Sequence, residues 1–242
     1  HENLRVNVEG NQEEFRLWPH DHLLQQIAFS FDCSVWQVFM ALANAASLFI
    51  APLSKRGDPV ALVESILTEG ITVAGATPSE YHSWFMHGDL SGLKKSKWRT
   101  AVSAGEPMTS SMIHDFQELN KRDLRLFNGY GPTEASMSSN KLQVPYLRSK
   151  TQSPQEWMHR GSVVAGYTAP NYSIYIVDEA LNPVPVGIPG QILIGGPGIA
   201  HGYLNNEDLS RSRFMEDRFA TAEQKAQGWR RVHLTGDRGR IR

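Results

Sequence analysis

The sequence predicts an α/β fold, a parallel sheet layered with helices, followed by a small β-rich subdomain of the distorted-barrel kind. Three observations carry this expectation. Short strand-like runs alternate with helical ones through roughly the first 145 residues, the pattern of strand–helix–strand crossovers. Beyond the polar, periodless "RSKTQSPQEWMHRGS", β-branched runs are separated by Pro and Gly turns in "YSIYIVDEALNPVPVGIPGQILIGGPGIAHGYL". Four of the early strands end in small or polar residues, and in parallel sheets ligands gather beyond the carboxyl ends of the strands.

Taken in order, "LLQQIAFSF" reads as a strand and "SVWQVFMALANA" as a helix, followed by the strand "SLFIAP". The helix "DPVALVESILTEG" stops at Gly70, a residue suited to a C-terminal stop. "ITVAG" precedes the helical "PSEYHSWFMHG", and "WRTAVSAG" precedes the helical "TSSMIHDFQELN". "DLRLFNGYG" is a strand ending at a Gly-Pro turn. The expected division is residues 1–147 for the α/β subdomain and 148–242 for the β-rich one.

Composition narrows the function. The 242 residues carry 24 basic and 25 acidic side chains, a net charge of -1, which gives no electrostatic reason to expect nucleic acid or an anionic membrane as partner. The apolar run from Val38 to Leu53 is shorter than the roughly 20 residues of a membrane span and contains Asn44, Ser47 and Pro52. A single cysteine, Cys33, allows no internal disulfide and fits a reducing, cytoplasmic setting, where it reads as a small buried hydrophobe. No secretory signal is visible, and the start at "HENLRVNVEG" without methionine reads as a cut inside something longer. The nine histidines show no paired metal-ligand spacing and read as surface or satisfied core residues. "GGPG" at Gly195–Gly198 lacks the Lys-Ser/Thr of a phosphate loop and reads as a turn. The C-terminal arginines read as a solvated face or a domain contact.

Asp32, within "FDCSVWQVF", stands out against its apolar surroundings. Ser34 and Gln37 have the spacing of a capping box, which would relieve Asp32 of helix capping. Asp32 then has two readings, a receptor for an ammonium group beside Trp36 or a partner of local backbone amides. In "NGYGPTE", Gly129 and Gly131 permit a tight turn and close approach of a ligand, and Tyr130 offers a flat face to a purine. Thr133 supplies a hydroxyl for a phosphate oxygen and Glu134 a hard oxygen suited to Mg²⁺.

With "FDCSVW", "SAGE", "NGYGPTE", "GQILIGGPGIAHGYL" and "LTGD" in this order, the chain resembles the adenylation domains of nonribosomal peptide synthetases, relatives of acyl-CoA ligases and luciferases. The resemblance implies ATP and Mg²⁺ as cofactors and an amino acid as substrate, joined to AMP and then passed to a carrier protein's phosphopantetheine. Condensation and carrier domains of the same synthetase, in nonribosomal peptide or hybrid polyketide-peptide synthesis, are the implied partners. It places Tyr130 on adenine, Asn128 at its exocyclic amine, Gly105, Glu106 and Gly131 along the nucleotide, Thr133 at phosphate, Glu134 on Mg²⁺ and Asp237 on the ribose hydroxyls. It gives Asp32 the substrate ammonium and maps the specificity pocket onto Asp32, Cys33, Trp36, Gly75, Val102, Ala104, Gly129, Met137 and Ser138. Because the pocket is apolar apart from Cys33 and Ser138, and Gly75 and Gly129 leave space, a hydrophobic or aromatic amino acid is expected. His233 stands where the family often has tyrosine. The family's phosphate loop and catalytic lysine are not in this segment, so it is expected to be inactive alone. The competing readings are an inactive remnant that serves as a binding module and an acyl-CoA ligase-like enzyme.

Overall fold

The computed structural model describes residues 1–147 and 153–242, so the expected boundary at residue 148 lies outside the described residues. The chain divides into two compact units that interleave along the sequence. The α/β unit comprises Gln12–Tyr130 and Asn140–Tyr167, and the β unit His1–Asn11, Gly131–Ser139 and Thr168–Arg242.

An opening helix, α1 (Glu2–Phe15), was not foreseen from the sequence. The α/β unit then follows the expected alternation through β1 (His22–Gln25), α2 (Asp32–Ala43), β2 (Ser47–Ile50), α3 (Pro59–Thr68), β3 (Val73–Ala76), α4 (Pro78–His87), β4 (Thr100–Ser103), α6 (Ser110–Leu119) and β5 (Arg125–Tyr130), to which the structure adds α5 (Leu90–Lys95) before β4 and β6 (Asn140–Val144) after β5, neither foreseen from the sequence. The sheet order is β2-β1-β3-β4-β5-β6, with β9 (Tyr167–Thr168) at the edge. The pairs among β1 to β5 are parallel, and β6 runs antiparallel to β5. Helix starts follow local chemistry. Asp58 accepts from the amides of Val60 and Ala61 ahead of Pro59, and Thr77 with Glu80 forms a reciprocal capping box around Pro78. Gly70, with φ of +65°, ends α3 as expected.

Helices α3 to α6 cover one face of this sheet. Leu62, Ile66, Trp84, Trp98, Ile113 and Phe116 are buried there against Ala74, Ala101 and Leu126. The Tyr81 hydroxyl donates to the carbonyls of Ala74 and Val102, fixing α4 on β3 and β4. At the amino ends of the strands, fully buried Asp21 accepts from Arg99, Thr72 and the Trp18 amide. From residue 153 onward the polar stretch forms α7 (Pro154–Trp157) and the hairpin of β7 (Met158–His159) with β8 (Ser162–Val163).

The β unit contains β10 (Ser173–Val177), β11 (Gly190–Gly195), β12 (Phe214–Glu216) and β13 (Arg231–Gly239) in an antiparallel sheet of order β10-β11-β13-β12. Helices α8 (Glu207–Arg213) and α9 (Ala222–Ala226) connect the later strands. Val177, Leu193 and Val232 form its buried centre. The α/β class with a separate β-rich part is therefore as expected.

Candidate functional site

In the α/β unit the candidate residues collect at the carboxyl ends of the parallel strands. Gly75 pairs with Val102 and Val102 with Phe127, so these positions share one sheet face, and Gly129 returns to it two residues later. Ala76, Ser103 and Asn128 are likewise partners and share the other face. Gly75, Val102 and Gly129, expected at the substrate pocket, thus lie on the opposite sheet face from Asn128, expected at adenine, by the pleat alone. Ala104 follows two residues after Val102, half-buried in the loop beyond β4.

The α2 start corrects the expected capping. Asp32 does not end a strand, because β1 stops at Gln25; it is the first residue of α2, where a carboxylate interacts favourably with the helix amino terminus. The cap residue is Phe31, without a side-chain cap bond. The Ser34 hydroxyl donates back to the Phe31 carbonyl at 2.7 Å. Gln37 is not part of a capping box either: its amide donates to Gln26 Oε1 at 2.9 Å and to the Gly75 carbonyl at 3.1 Å, while Gln26 donates to the same carbonyl at 2.7 Å. This buried amide pair ties α2 to the end of β3, a role the sequence reading missed because neither glutamine carries a local motif. Gly75 also leaves no void, since a Cβ there would meet the Trp36 ring at 3.0 Å. Trp36 is itself buried, edge-on to Phe15. Cys33 is half-buried rather than core, and burial, then the neighbouring Asp32, pushes its thiol up to about 12.

Among the residues expected at the nucleotide, the Asn128 Nδ2 donates to the Val164 carbonyl at 3.0 Å, which orients the amide with Oδ1 as its remaining acceptor. Tyr130 closes β5 opposite Asn140. Gly105 takes φ of +86° in the exposed loop after β4. Glu106 accepts from the Ser79 hydroxyl at 2.5 Å and its amide at 3.1 Å, so its carboxylate braces the first turn of α4.

In the β unit, Thr133 and Glu134 form a single 3₁₀ turn, Thr133–Ala135, followed by Ser136 and Met137 at positive φ. Gly131 is required by its own chain: a Cβ would meet the Met137 carbonyl at 2.5 Å and Ser138 Cα at 2.7 Å. Asn7 donates to the carbonyls of Ser136 and Ser138, and the Tyr172 hydroxyl to that of Ala135. The Tyr203 hydroxyl donates to Glu134 Oε1 at 2.7 Å, and the Ala200 amide to the Glu134 carbonyl at 2.8 Å. Burial raises the Glu134 carboxyl, but the Tyr203 bond with the nearby His233 and Arg213 outweighs it and leaves the carboxyl below its ordinary value.

Asp237 sits on an irregularity of β13. Leu193 pairs with Leu234 while Gln191 pairs with Arg238, so Thr235, Gly236 and Asp237 together oppose Ile192. Gly236 has φ of +87° and the Asp237 amide donates to Thr235 Oγ1, a bulge that presents Asp237 at the surface. His233, 2% exposed, is not a satisfied core histidine, because Nδ1 has no hydrogen-bond partner among the described residues. "GGPG" is a turn, as expected, packed so closely that a Cβ at Gly198 would collide with the Tyr172 hydroxyl.

A family profile described as AMP-binding enzyme matches residues 1–204. The chain belongs to the AMP-binding enzyme family. It is 73% identical over 241 residues to the hybrid PKS-NRPS synthetase poxE of Penicillium oxalicum and 40% identical over 242 residues to the hybrid PKS-NRPS synthetase thnA of Trichoderma harzianum. In both comparisons all of this chain is covered, but it spans only about 6% of those relatives. Among solved structures, that of IdnL1 matches with a TM-score of 0.83 at 19% identity, covering 99% of this chain and 46% of the other. That of holo-PA1221, an NRPS protein containing adenylation and PCP domains bound to a vinylsulfonamide inhibitor, matches at 0.77 and 23% identity over 92% of this chain and 36% of the other. The resemblance read from the motifs is borne out, and these structures share its fold.

For an AMP-binding chain, the donor set is compatible with Mg²⁺. Among the described residues no group of three His, Cys, Asp or Glu side chains could hold a metal. Mg²⁺ commonly needs only one or two carboxylates together with phosphate oxygens and water, and the Glu134 carboxyl, held below its ordinary value, is of the type such a site would use. No helix among the described residues is long and apolar enough to cross a membrane.

Proposed function

We propose that this chain is part of an adenylation domain that activates an amino acid as its aminoacyl-AMP inside a hybrid polyketide-peptide synthetase. The observation that supports this best is the start of α2. Asp32 and Cys33 open the helix, Trp36 one turn on lies against Gly75, and Gly75, Val102 and Gly129 share the sheet face at the strand ends. In this reading Asp32 pairs with the substrate ammonium and Trp36 walls its side chain. Val102, Ala104 and Gly129 complete that wall within the α/β unit.

The substrate carboxylate attacks the α-phosphate of ATP, the bond to the β-phosphate breaks, and pyrophosphate leaves. Asn128 Oδ1 accepts from the adenine amine, Tyr130 stacks on the ring, and Gly105 and Gly131 lie along the nucleotide. Asp237 accepts from both ribose hydroxyls and Thr133 donates to phosphate. Mg²⁺ held by Glu134 would supply shielding of phosphate charge. Glu106, whose carboxylate also braces Ser79, lies along the nucleotide beside Gly105. The acyl group then passes to the phosphopantetheine thiol of a carrier domain in the same synthetase, which works with its condensation domain. With Trp36 filling the space beside Gly75, a side chain of moderate hydrophobic size suits the pocket better than a large aromatic one.

Transition-state charge in such a transfer is met by placed donors, each worth about 10²–10³ in rate. The isolated 242 residues are therefore expected to exchange pyrophosphate far more slowly than the whole synthetase. The deciding experiment is amino-acid-dependent ATP–pyrophosphate exchange by the synthetase carrying Asp32→Ala. An unpaired ammonium in this setting costs on the order of 3–5 kcal/mol, so exchange with the native amino acid should vanish. Undiminished exchange would exclude the ammonium role. Activation of carboxylic acids by the unaltered synthetase irrespective of an amine would favour an acyl-CoA ligase-like enzyme, and no exchange at all a binding module.

A further inference from the structure

Glu134 lies on a single 3₁₀ turn, too short to hold a carboxylate by helix packing, and the residues at 198–203 supply what the turn lacks. The Ala200 amide holds the Glu134 backbone at 2.8 Å, and the Ser136 hydroxyl donates to the Gly198 carbonyl at 2.7 Å just beyond the turn. The same strap is anchored by Asn3, whose amide donates to the carbonyls of Gly198 and Ile199. At its far end the Tyr203 hydroxyl reaches Glu134 Oε1 at 2.7 Å.

Tyr203 is itself constrained. Its amide donates to Ser210 Oγ at 2.8 Å, and its ring stands edge-on to Phe214 at 5.3 Å. The preceding Gly202, at φ of +151°, has no room for a side chain, since a Cβ would meet Ser210 Oγ at 2.7 Å. With its backbone held by Ser210 and its ring against Phe214, Tyr203 points its hydroxyl at the Glu134 carboxylate. Outer hydrogen bonds of this kind orient metal-binding carboxylates.

We propose that Tyr203 is a positioning residue for the metal-binding carboxylate: by holding Glu134 Oε1 it turns Oε2 toward a nucleotide-bound divalent cation and sets one-oxygen coordination. This rests on the reading of Glu134 as the Mg²⁺ ligand. It also assigns a task to the tyrosine of the "GIAHGYL" run that neither fold nor packing demands, because a phenylalanine would fill the same space.

The test compares the whole synthetase with its Tyr203→Phe and Glu134→Gln variants. Calorimetry measures binding of Mn²⁺ to each in the presence of a non-hydrolysable ATP analogue, and exchange assays give the Mg²⁺ concentration at half-maximal rate. Loss of an outer hydrogen bond to a ligating carboxylate should weaken Mn²⁺ by about 10- to 100-fold. The Mg²⁺ requirement should rise in parallel in Tyr203→Phe, with the KM for amino acid and the melting temperature unchanged, and high Mg²⁺ should restore turnover. Unchanged Mn²⁺ affinity in Tyr203→Phe alongside weakened affinity in Glu134→Gln would overturn the positioning role. Unchanged affinity in both would overturn the Glu134 reading beneath it. A fall in melting temperature that high Mg²⁺ does not offset, with metal affinity intact, would make Tyr203 a packing residue only.

Discussion

The indole of Trp36 occupies the space that a side chain on residue 75 would need: a Cβ built at Gly75 would come within 3.0 Å of Cζ3. The ring cannot retreat freely, because it is 7% exposed and packs edge-on against Phe15 at a centroid distance of 5.7 Å.

Gly75→Ala should therefore overpack this contact and lower stability by about 1–3 kcal/mol. Trp36→Ala should cost more, about 3–5 kcal/mol, by opening a cavity. Urea denaturation of the domain measures both. If Gly75 served only to leave room for ligand, alanine there would be neutral in stability, and that outcome would refute the packing account. The double variant Trp36→Leu with Gly75→Ala should recover part of the loss.

A second expectation concerns Asp21 and Arg99. Asp21 is fully buried, and it accepts from Arg99 Nε at 2.9 Å, Thr72 Oγ1 at 2.7 Å and the Trp18 amide at 2.8 Å. Arg99→Ala strands the carboxylate and should destabilise by about 3–5 kcal/mol. Burial alone would raise the Asp21 carboxyl, but the bonds from Arg99, Thr72 and Trp18 outweigh it and hold the group below 3.8. A depressed carboxyl contributes stability that is present above its unfolded value and is lost as pH falls through the folded one. The unfolding free energy should thus decline below about pH 4, and the decline should be smaller in Asp21→Asn. Identical acid profiles for the two proteins would remove Asp21 from the explanation.

His233 gives the opposite kind of group a similar sign. Burial lowers its pKa from 6.5, only partly opposed by the Glu134 and Asp237 charges and the Arg213 backbone. The unfolded chain then binds more protons than the folded one between the folded value and 6.5, so stability rises with pH through that window and is fully present above it. His233→Phe, which also removes the unpartnered Nδ1, should flatten the stability profile below about pH 6.5. Thermal melts across that range provide the check; a slope that survives the substitution would point to another group.

The bulge in β13 motivates a prediction for nucleotide binding. Asp237 is exposed on three residues that together oppose Ile192, which frees its side chain from the strand's own alternation. If it accepts from both ribose hydroxyls, 2′,3′-dideoxy-AMP should bind the synthetase at least about tenfold more weakly than AMP, since a bond to a charged group contributes about 1.5–3 kcal/mol. Calorimetry decides, and equal affinities would rule out the ribose role.

The sequence by itself determined the fold class, the order of the strands and helices from β1 to β5 apart from the short α5, the stop at Gly70 and the family. These rest on local signals, hydrophobic period, caps and turn residues, or on motifs whose spacing is carried in the chain itself. It did not determine what Ser34, Gln37 and Gly75 do. The spacing of Ser34 and Gln37 satisfied a capping rule, yet the same rule was fulfilled in fact by Thr77 and Glu80, and Gln37 went instead to a carbonyl 38 residues away. Gly75 looked like space because a missing side chain is visible in sequence and the ring that fills it is not. Tyr203 and Glu134 are separated by 69 residues, and no local pattern encodes their hydrogen bond. Which polar groups find one another across such distances is decided only when the chain packs, because buried donors and acceptors must be paired by whatever the fold brings within reach.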